Sequence, residues 1–348
     1  MSNSNYLTKI ITVILLIIIY GCVPPNVQWE RLTIGNEDLH GVYFVNDNEG
    51  WVVGENSTII HTTDRFATWD YQSSPTAGDL YDIHMYSATE GCIVGGTDIN
   101  NGLVIHTNNG GGTWTISSIP SNTPILYAVD FSNTVRGCAV GGLERHGVAI
   151  KTTNGGANWN FSIDGVVPTI PPTPVDYYTP ILRGISTPTA ARRWTVGKTD
   201  TILRTDNSGG AWFFEGSQFM DYYDIEVVYL PAPGAYWGWA VGGKGLAHDG
   251  IVIHRPDLPP SPGLPWEIQL DGSIGPDPIP LLRGVSFVDR NNGWAVGDHD
   301  IVISTNNGGS TWNIEEAADM NEPNLNAVYF PSTIVGYAVG DDGKILRR

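Results

Sequence analysis

Apolar positions along this chain come in short bursts, separated by polar segments rich in Gly, Asn and Asp. No stretch sustains apolar spacing at three and four residues, so the pattern predicts no long amphipathic helix. The bursts are rich in Val, Ile and aromatic residues and are bounded by turn formers, which predicts strands joined by hairpins. One burst recurs seven times: Gly50–Gly54 (GWVVG), Gly91–Gly95 (GCIVG), Gly137–Gly141 (GCAVG), Arg193–Gly197 (RWTVG), Gly238–Gly242 (GWAVG), Gly293–Gly297 (GWAVG) and Gly336–Gly340 (GYAVG). A run of the form Leu-x-Gly/Ala-Val-x-Phe precedes it, as in Leu39–Phe44 and Leu282–Phe287. A short apolar piece such as Ile59–Thr62 or Val302–Thr305 follows it.

After that piece comes a second motif, TNNGGSTW at Thr305–Trp312, with copies at Thr107–Trp114, Thr152–Trp159 and Thr205–Trp212 and a worn one at Thr62–Trp69. The fifth unit has lost it, running from His254 to Trp266 through a proline-rich segment. One unit therefore reads as strand A (Leu-x-x-Val-x-Phe), strand B (Gly-Trp-x-Val-Gly), strand C (Ile-x-x-Thr), the turn, and strand D beginning at Trp. A four-stranded unit repeating every 40–50 residues or so is a β-propeller blade. The seventh unit stops at Arg348 before its turn and lacks strand D, whereas Trp29–Ile34 reads as an orphan strand D. Pairing the two closes a ring and removes its open edges. The predicted fold is all-β: a seven-bladed β-propeller of four-stranded blades over residues 29–348, closed by an N-terminal strand completing the last blade.

Composition agrees: 42 Gly, 12 Trp and 16% charged residues in 348 favour many short strands over helices. At the N-terminus, Lys9 precedes the apolar run Ile10–Tyr20, too short to span a bilayer comfortably, which predicts a signal peptide over residues 1–21. The tetrapeptide IYGC resembles the lipobox of bacterial lipoproteins. That resemblance implies cleavage before Cys22, lipidation of its thiol, a lipidated linker over residues 22–28, and a place in the bacterial cell envelope, at the outer membrane, periplasm or cell surface. The alternative is an ordinary signal peptide cut elsewhere. Without residues 1–21 the chain keeps 17 Lys+Arg against 36 Asp+Glu, a formal charge of −19. Such a surface repels nucleic acid, so no nucleic-acid partner is expected.

The repeated turns resemble Asp-boxes, the Ser/Thr-x-Asp-x-Gly-x-Thr-Trp hairpins also called BNR repeats, found in sialidases, xyloglucan-cleaving hydrolases and sorting receptors. The blades as a whole, with GWAVG before TNNGGSTW, most resemble photosystem II assembly factors of the Ycf48/Hcf136 type and their relatives in non-photosynthetic bacteria. The resemblance implies a propeller that binds a protein partner. It departs from the Asp-box pattern in that Asn109, Asn154, Asn207 and Asn307 replace the acid, which survives only as Asp64 in the worn copy.

The turns read as joints. Calcium needs several converging carboxylates, and these turns offer amides. Asn tolerates left-handed backbone and can bond nearby N–H groups, and the Gly after it supplies positive φ. Cys92 and Cys138 take the Trp place in strand B of adjacent blades. They lack the further Cys or His of a metal site, and read either as a disulfide or, at that separation, as two buried free thiols. No paired-carboxylate signature, nucleophile elbow or HExxH motif stands out, so neither a catalytic residue nor a cofactor is assigned and binding is favoured over catalysis.

The constellation that remains is geometric. One register of every innermost strand forms a ring round a propeller's channel. The residue after the leading position of strand A is His40, Tyr81, Tyr127, Arg183, Tyr223, Arg283 and Asn326. All seven can donate hydrogen bonds, and Arg183 and Arg283 suit a carboxylate or an acidic side chain. Loops on that face, including Ser162–Pro180, Glu144-Arg145-His146 and Gly243–Gly250, vary most. The expectation is an exported, lipid-anchored scaffold binding a protein or peptide at this channel mouth. The alternative is a carbohydrate-binding or glycoside-hydrolase-like propeller of the sialidase type.

Overall fold

The computed structural model describes residues 28–166, 178–216, 220–232, 234–243, 249–255, 265–273 and 279–348. The leader, Cys22 and most of the Ser162–Pro180 and Gly243–Gly250 loops lie outside the described residues. Twenty-eight strands form seven four-stranded antiparallel sheets. In six of them the strands follow chain order, A to D from the channel outward. The seventh takes Leu325–Tyr329, Tyr337–Gly340 and Lys344–Arg347 from the C-terminus and Glu30–Thr33 from the N-terminus. Its closing register runs from Glu30 opposite Arg347 to Thr33 opposite Lys344. Each strand A packs on strand A of the next blade, the seventh on the first, so the ring is complete.

The strand B motif is explained by what lies between blades. In three blades its aromatic residue stacks on the ring that ends the next blade's Leu-x-x-Val-x-Phe run: Trp239 on Phe287 at 3.7 Å between centroids, Trp294 on Phe330 at 3.6 Å, Tyr337 on Phe44 at 3.5 Å. Each such buried pair removes a large apolar area from water. The first glycine of the motif leaves room for strand A's Phe within the blade. A Cβ on Gly336 would fall 2.2 Å from the Phe330 ring. Blade four reverses the exchange. Thr187 stands where the Phe would be, and the buried Arg193 fills the room at the glycine position and reaches toward Cys138.

The turns behave as joints with one correction. In each Asn copy the Thr hydroxyl accepts an N–H four residues on and donates to the Asn side chain. Thr305 Oγ1 lies 2.8 Å from Gly309 N and 3.0 Å from Asn307 Oδ1. The Asn oxygen also accepts the N–H at the far side of the turn, Thr311 for Asn307 at 2.9 Å. Positive φ falls on the two residues after the Asn, such as Gly308 and Gly309, and not on the Asn itself. The Asn is therefore chosen as an acceptor, not for its backbone tolerance. In the worn copy Arg65 and Phe66 adopt that left-handed backbone and Trp69 is 44% exposed, while Asp64 takes over the acceptor role toward Thr68. Cys92 and Cys138 are free and buried, which settles the pair as thiols rather than a disulfide.

Candidate functional site at the channel mouth

All seven predicted ring residues share one backbone feature. In every blade the A–B ladder skips one residue of strand A: the register shifts between Leu39 and Gly41, Leu80 and Asp82, Leu126 and Ala128, Leu182 and Gly184, Tyr222 and Asp224, Leu282 and Gly284, and Leu325 and Ala327. The residue skipped is His40, Tyr81, Tyr127, Arg183, Tyr223, Arg283 or Asn326 in turn. A β-bulge frees a residue from ladder pairing and re-aims its side chain. Here the device is repeated seven times in one register.

Six of the seven side chains touch in series. His40 stacks on Tyr81 (5.0 Å between centroids), and Tyr81 meets Tyr127 edge-on at 5.2 Å. The Arg183 guanidinium lies 5.7 Å from the Tyr127 ring and 4.5 Å from the Tyr223 ring, and Arg283 follows at 5.9 Å from Tyr223. The seventh, Asn326, donates to Leu39 O, beside His40, at 3.0 Å. Burial pushes the Tyr81 hydroxyl up to about 12, helped by the Asp79 charge. Burial also lowers His40, against the opposing pull of Asp38, Asp79 and Asp341. At neutral pH both rings are thus uncharged, and the formal charges of the ring are its two arginines.

Those arginines are not equivalent. The residue that follows the last glycine of strand B donates its N–H to the residue two before the ring position, in blade six Asp298 to Leu281 O and in blade four Lys198 to Ile181 O. Asp298 from that place forms an ion pair with Arg283, and Asp341 likewise accepts from Asn326 at 2.8 Å. In blade four the same place holds Lys198, a second cation. Arg183 consequently has no ion pair among the described residues, and its Nε is buried without a hydrogen-bond partner. An uncompensated guanidinium flanked by two Tyr rings has the charge and the fork of donors that suit an anion with planar oxygens. The contrast between Lys198 and Asp298 is the sequence signal that tells the two arginines apart.

Below the ring the channel holds polar residues that the register count did not reach. The next position of strand A is small in five blades and Asp in two. Asp82 Oδ2 accepts Val129 N–H at 2.8 Å and Asp224 Oδ2 accepts Val285 N–H at 2.9 Å, each from the following blade. Asp130, Ser186 and Ser286 do the same for Thr187, Val227 and Phe330. These side chains stitch blade to blade. They border a cavity of about 410 Å³ that also holds Tyr43, His84, Glu226 and Tyr329. Burial pushes Asp82 up to about 8 and Asp224 to about 6, and raises Glu226 well above the carboxylate range. Asp130 is also buried, but the adjoining His84 and the Thr187 bonds outweigh that and hold it low. The missed signal was the same seven-fold register, read one and three residues further on.

Comparison with known proteins now has a geometry to meet. The family model described as photosynthesis system II assembly factor YCF48 matches residues 23–170 and 280–348. Photosystem II stability/assembly factor HCF136 of Arabidopsis thaliana is 38% identical over 66 residues, and that of Oryza sativa subsp. japonica 36% over 66. Those stretches span 19% of this chain and only 16% of the length of either relative. Among solved structures, YCF48 from Cyanidioschyzon merolae superposes with a TM-score of 0.66, at 18% identity, over 92% of this chain and 98% of that one. A structure of YCF48 bound to D1 peptide gives 0.65, also at 18% identity, over 92% and 94%. The GH74 enzyme of Niastella koreensis gives 0.63 at 13% identity, covering 91% of this chain and 53% of the enzyme. At these identities the superpositions speak for the fold alone. The family model, which covers more than half of the chain, goes further: this seven-bladed propeller belongs to the YCF48 family of photosystem II assembly factors.

Proposed function

We propose that the chain is an exported, lipid-anchored propeller that captures a protein or peptide segment at the channel mouth, with a carboxylate of that segment seated on Arg183. The observation that carries this reading is the bulge repeated in all seven blades, which dedicates one register to side chains facing the mouth. Family membership supports it, as does the fact that a YCF48 of the same fold has been captured with a D1 peptide. Rigid blades with an aromatic and cationic mouth suit recognition of an acidic or C-terminal segment. The partner's planar carboxylate gains the bidentate geometry that a guanidinium offers. Tyr127 and Tyr223 hold that guanidinium in place and add apolar contact. Residues 1–21 serve as the signal peptide and Cys22 as the lipidated residue. Residues 22–28 form the tether that holds the propeller, residues 29–348, at a membrane of the cell envelope.

The test is recovery of partners from solubilised membranes with wild type, Arg183→Ala, Arg283→Ala and the double variant. Arg183→Ala should lose the partner, and Arg283→Ala should retain most of it because Asp298 already neutralises that residue. Equal recovery by the wild type and the double variant, with circular dichroism unchanged, would overturn the assignment. In the same fractionation a Cys22→Ser variant should leave the membrane pellet, and its persistence there would remove the lipid anchor from the reading.

A further inference from the structure

A second cavity lies on the loop-bearing face, away from the channel ring. Blades two and three carry long B–C hairpins, with strands Gly91–Asp98 and Gly137–Leu143, where blades one, four, six and seven make tight turns. Bordered by these two hairpins, by Asn122 and Pro124, and by Asp164–Val166 with Tyr178, is a cleft of about 720 Å³, within the usual size range of small-ligand sites.

The walls mix apolar side chains, among them Pro124, Leu143 and Val166, with polar ones of small net charge. Asn100 and Asn101 come from one hairpin tip, Glu144 and Arg145 from the other, and Asn122 from the segment between the blades. Asp98 accepts one N–H of Asn101 at 2.7 Å and so orients its amide. Along one side His146 Nε2 lies 2.9 Å from Asp164 Oδ1. The His146 ring packs over Gly165, where a Cβ would fall 2.2 Å from it. Glu144 sits at φ 53°, a costly conformation for Glu in a hairpin tip where Gly or Asn is the ordinary choice. Tyr178, 66% exposed, stands at the rim.

We propose that this cleft is a saccharide-binding site. Each hydroxyl of a sugar both donates and accepts. The three amides offer both roles from one group, while Asp164, Glu144 and Arg145 add acceptors and donors of opposite sign. A phosphate or polyanionic ligand would face the two carboxylates, and a polybasic segment would face Arg145. The exposed Tyr178 ring supplies the flat apolar face against which the C–H side of a pyranose packs. Nothing in this site overlaps the Arg183 mouth, so the two stand or fall separately.

The experiment is titration of the folded protein with defined neutral oligosaccharides (cellopentaose, a xyloglucan heptasaccharide, chitotetraose and maltopentaose) by calorimetry and saturation-transfer NMR. At least one should bind, with a Kd below about 10 mM. Tyr178→Ala and Asn122→Ala should each weaken it about tenfold. Tyr178→Phe should keep the affinity, because the stacking face is retained. Arg183→Ala should bind as wild type does. Tyr178 is exposed, so its loss leaves the fold intact, and circular dichroism checks this. The proposal is overturned if no oligosaccharide binds at that concentration, if Tyr178→Ala binds as wild type does, or if Arg183→Ala abolishes binding.

Discussion

Replacing Asp82 by Asn should cost a little stability in mild acid and abolish the loss that the wild type suffers toward mild alkali. Asp82 lies in the channel wall, where its side chain accepts the N–H groups of Ile83 and, across the blade boundary, Val129. Burial pushes its pKa up to about 8, from an ordinary value of 3.8. A folded pKa above the unfolded one means that the native state holds a proton which the unfolded chain releases. Stability from this group is therefore complete below about pH 4 and is lost progressively as pH rises toward 8. At 1.36 kcal/mol per pH unit, the full loss is roughly 6 kcal/mol. That is an upper bound, because Asp82 borders the cavity and its carboxylate keeps part of its hydration. Asparagine keeps the shape and one acceptor oxygen and cannot ionise, but its NH2 faces one of the two N–H groups, a loss of about 1–2 kcal/mol at every pH. Urea unfolding of wild type and Asp82→Asn between pH 4.5 and 9 should therefore start with the variant the less stable by about that amount and close or reverse the gap as the wild type loses about 2–5 kcal/mol toward the alkaline end. Parallel curves would refute the idea that Asp82 is held protonated at neutral pH.

Two further outcomes follow from other residues. His254 is buried beside Trp237 and Trp239, which depresses its pKa to about 4. A base with a depressed folded pKa costs stability as pH falls from about 6.5 to 4, here roughly 3 kcal/mol, and His254→Phe should remove that acid limb in the same urea series. Gly336→Ala puts a methyl 2.2 Å from the Phe330 ring in a strand with no room to retreat; a loss of about 1–3 kcal/mol is expected in thermal unfolding, and an unchanged Tm would contradict the space argument.

The fold was legible because the inter-blade ring stack recurs in three blades and the glycine contact with the end of strand A in five. Trp239 and Phe287, and Gly336 and Phe330, leave their imprint as GWAVG and its partner run. The position of the ring residues was legible for the same reason: counting one residue past Leu39, Leu126 or Leu282 gives the bulged residue. The bulge that makes this position special was hidden, because backbone register leaves no mark in residue type there. Asp82 and Asp224 were hidden for another cause. Their neighbours in register are Gly41, Ala128, Gly184, Gly284 and Ala327, so the position reads as small rather than polar. The unequal state of Arg183 and Arg283 depended on residues fifteen positions away in each case, Lys198 and Asp298, whose facing becomes evident only once strands A and B are paired.

The strand that closes the ring also sets an order of events in folding. Blades one to six each draw all four strands from one stretch of chain and can form as that stretch is made. The last sheet cannot be completed until Lys344–Arg347 exists, at which point Glu30–Thr33 must return across more than three hundred residues. For a loop of that length the chain-entropy cost is about 5 kcal/mol, most of it already met if the blades stack in sequence. Until then the outer edge of Lys344–Arg347 stays unpaired, and at high concentration a second molecule's Glu30–Thr33 can occupy it as readily as its own. The seam that makes the finished ring edgeless is thus also its route to strand-exchanged dimers during refolding.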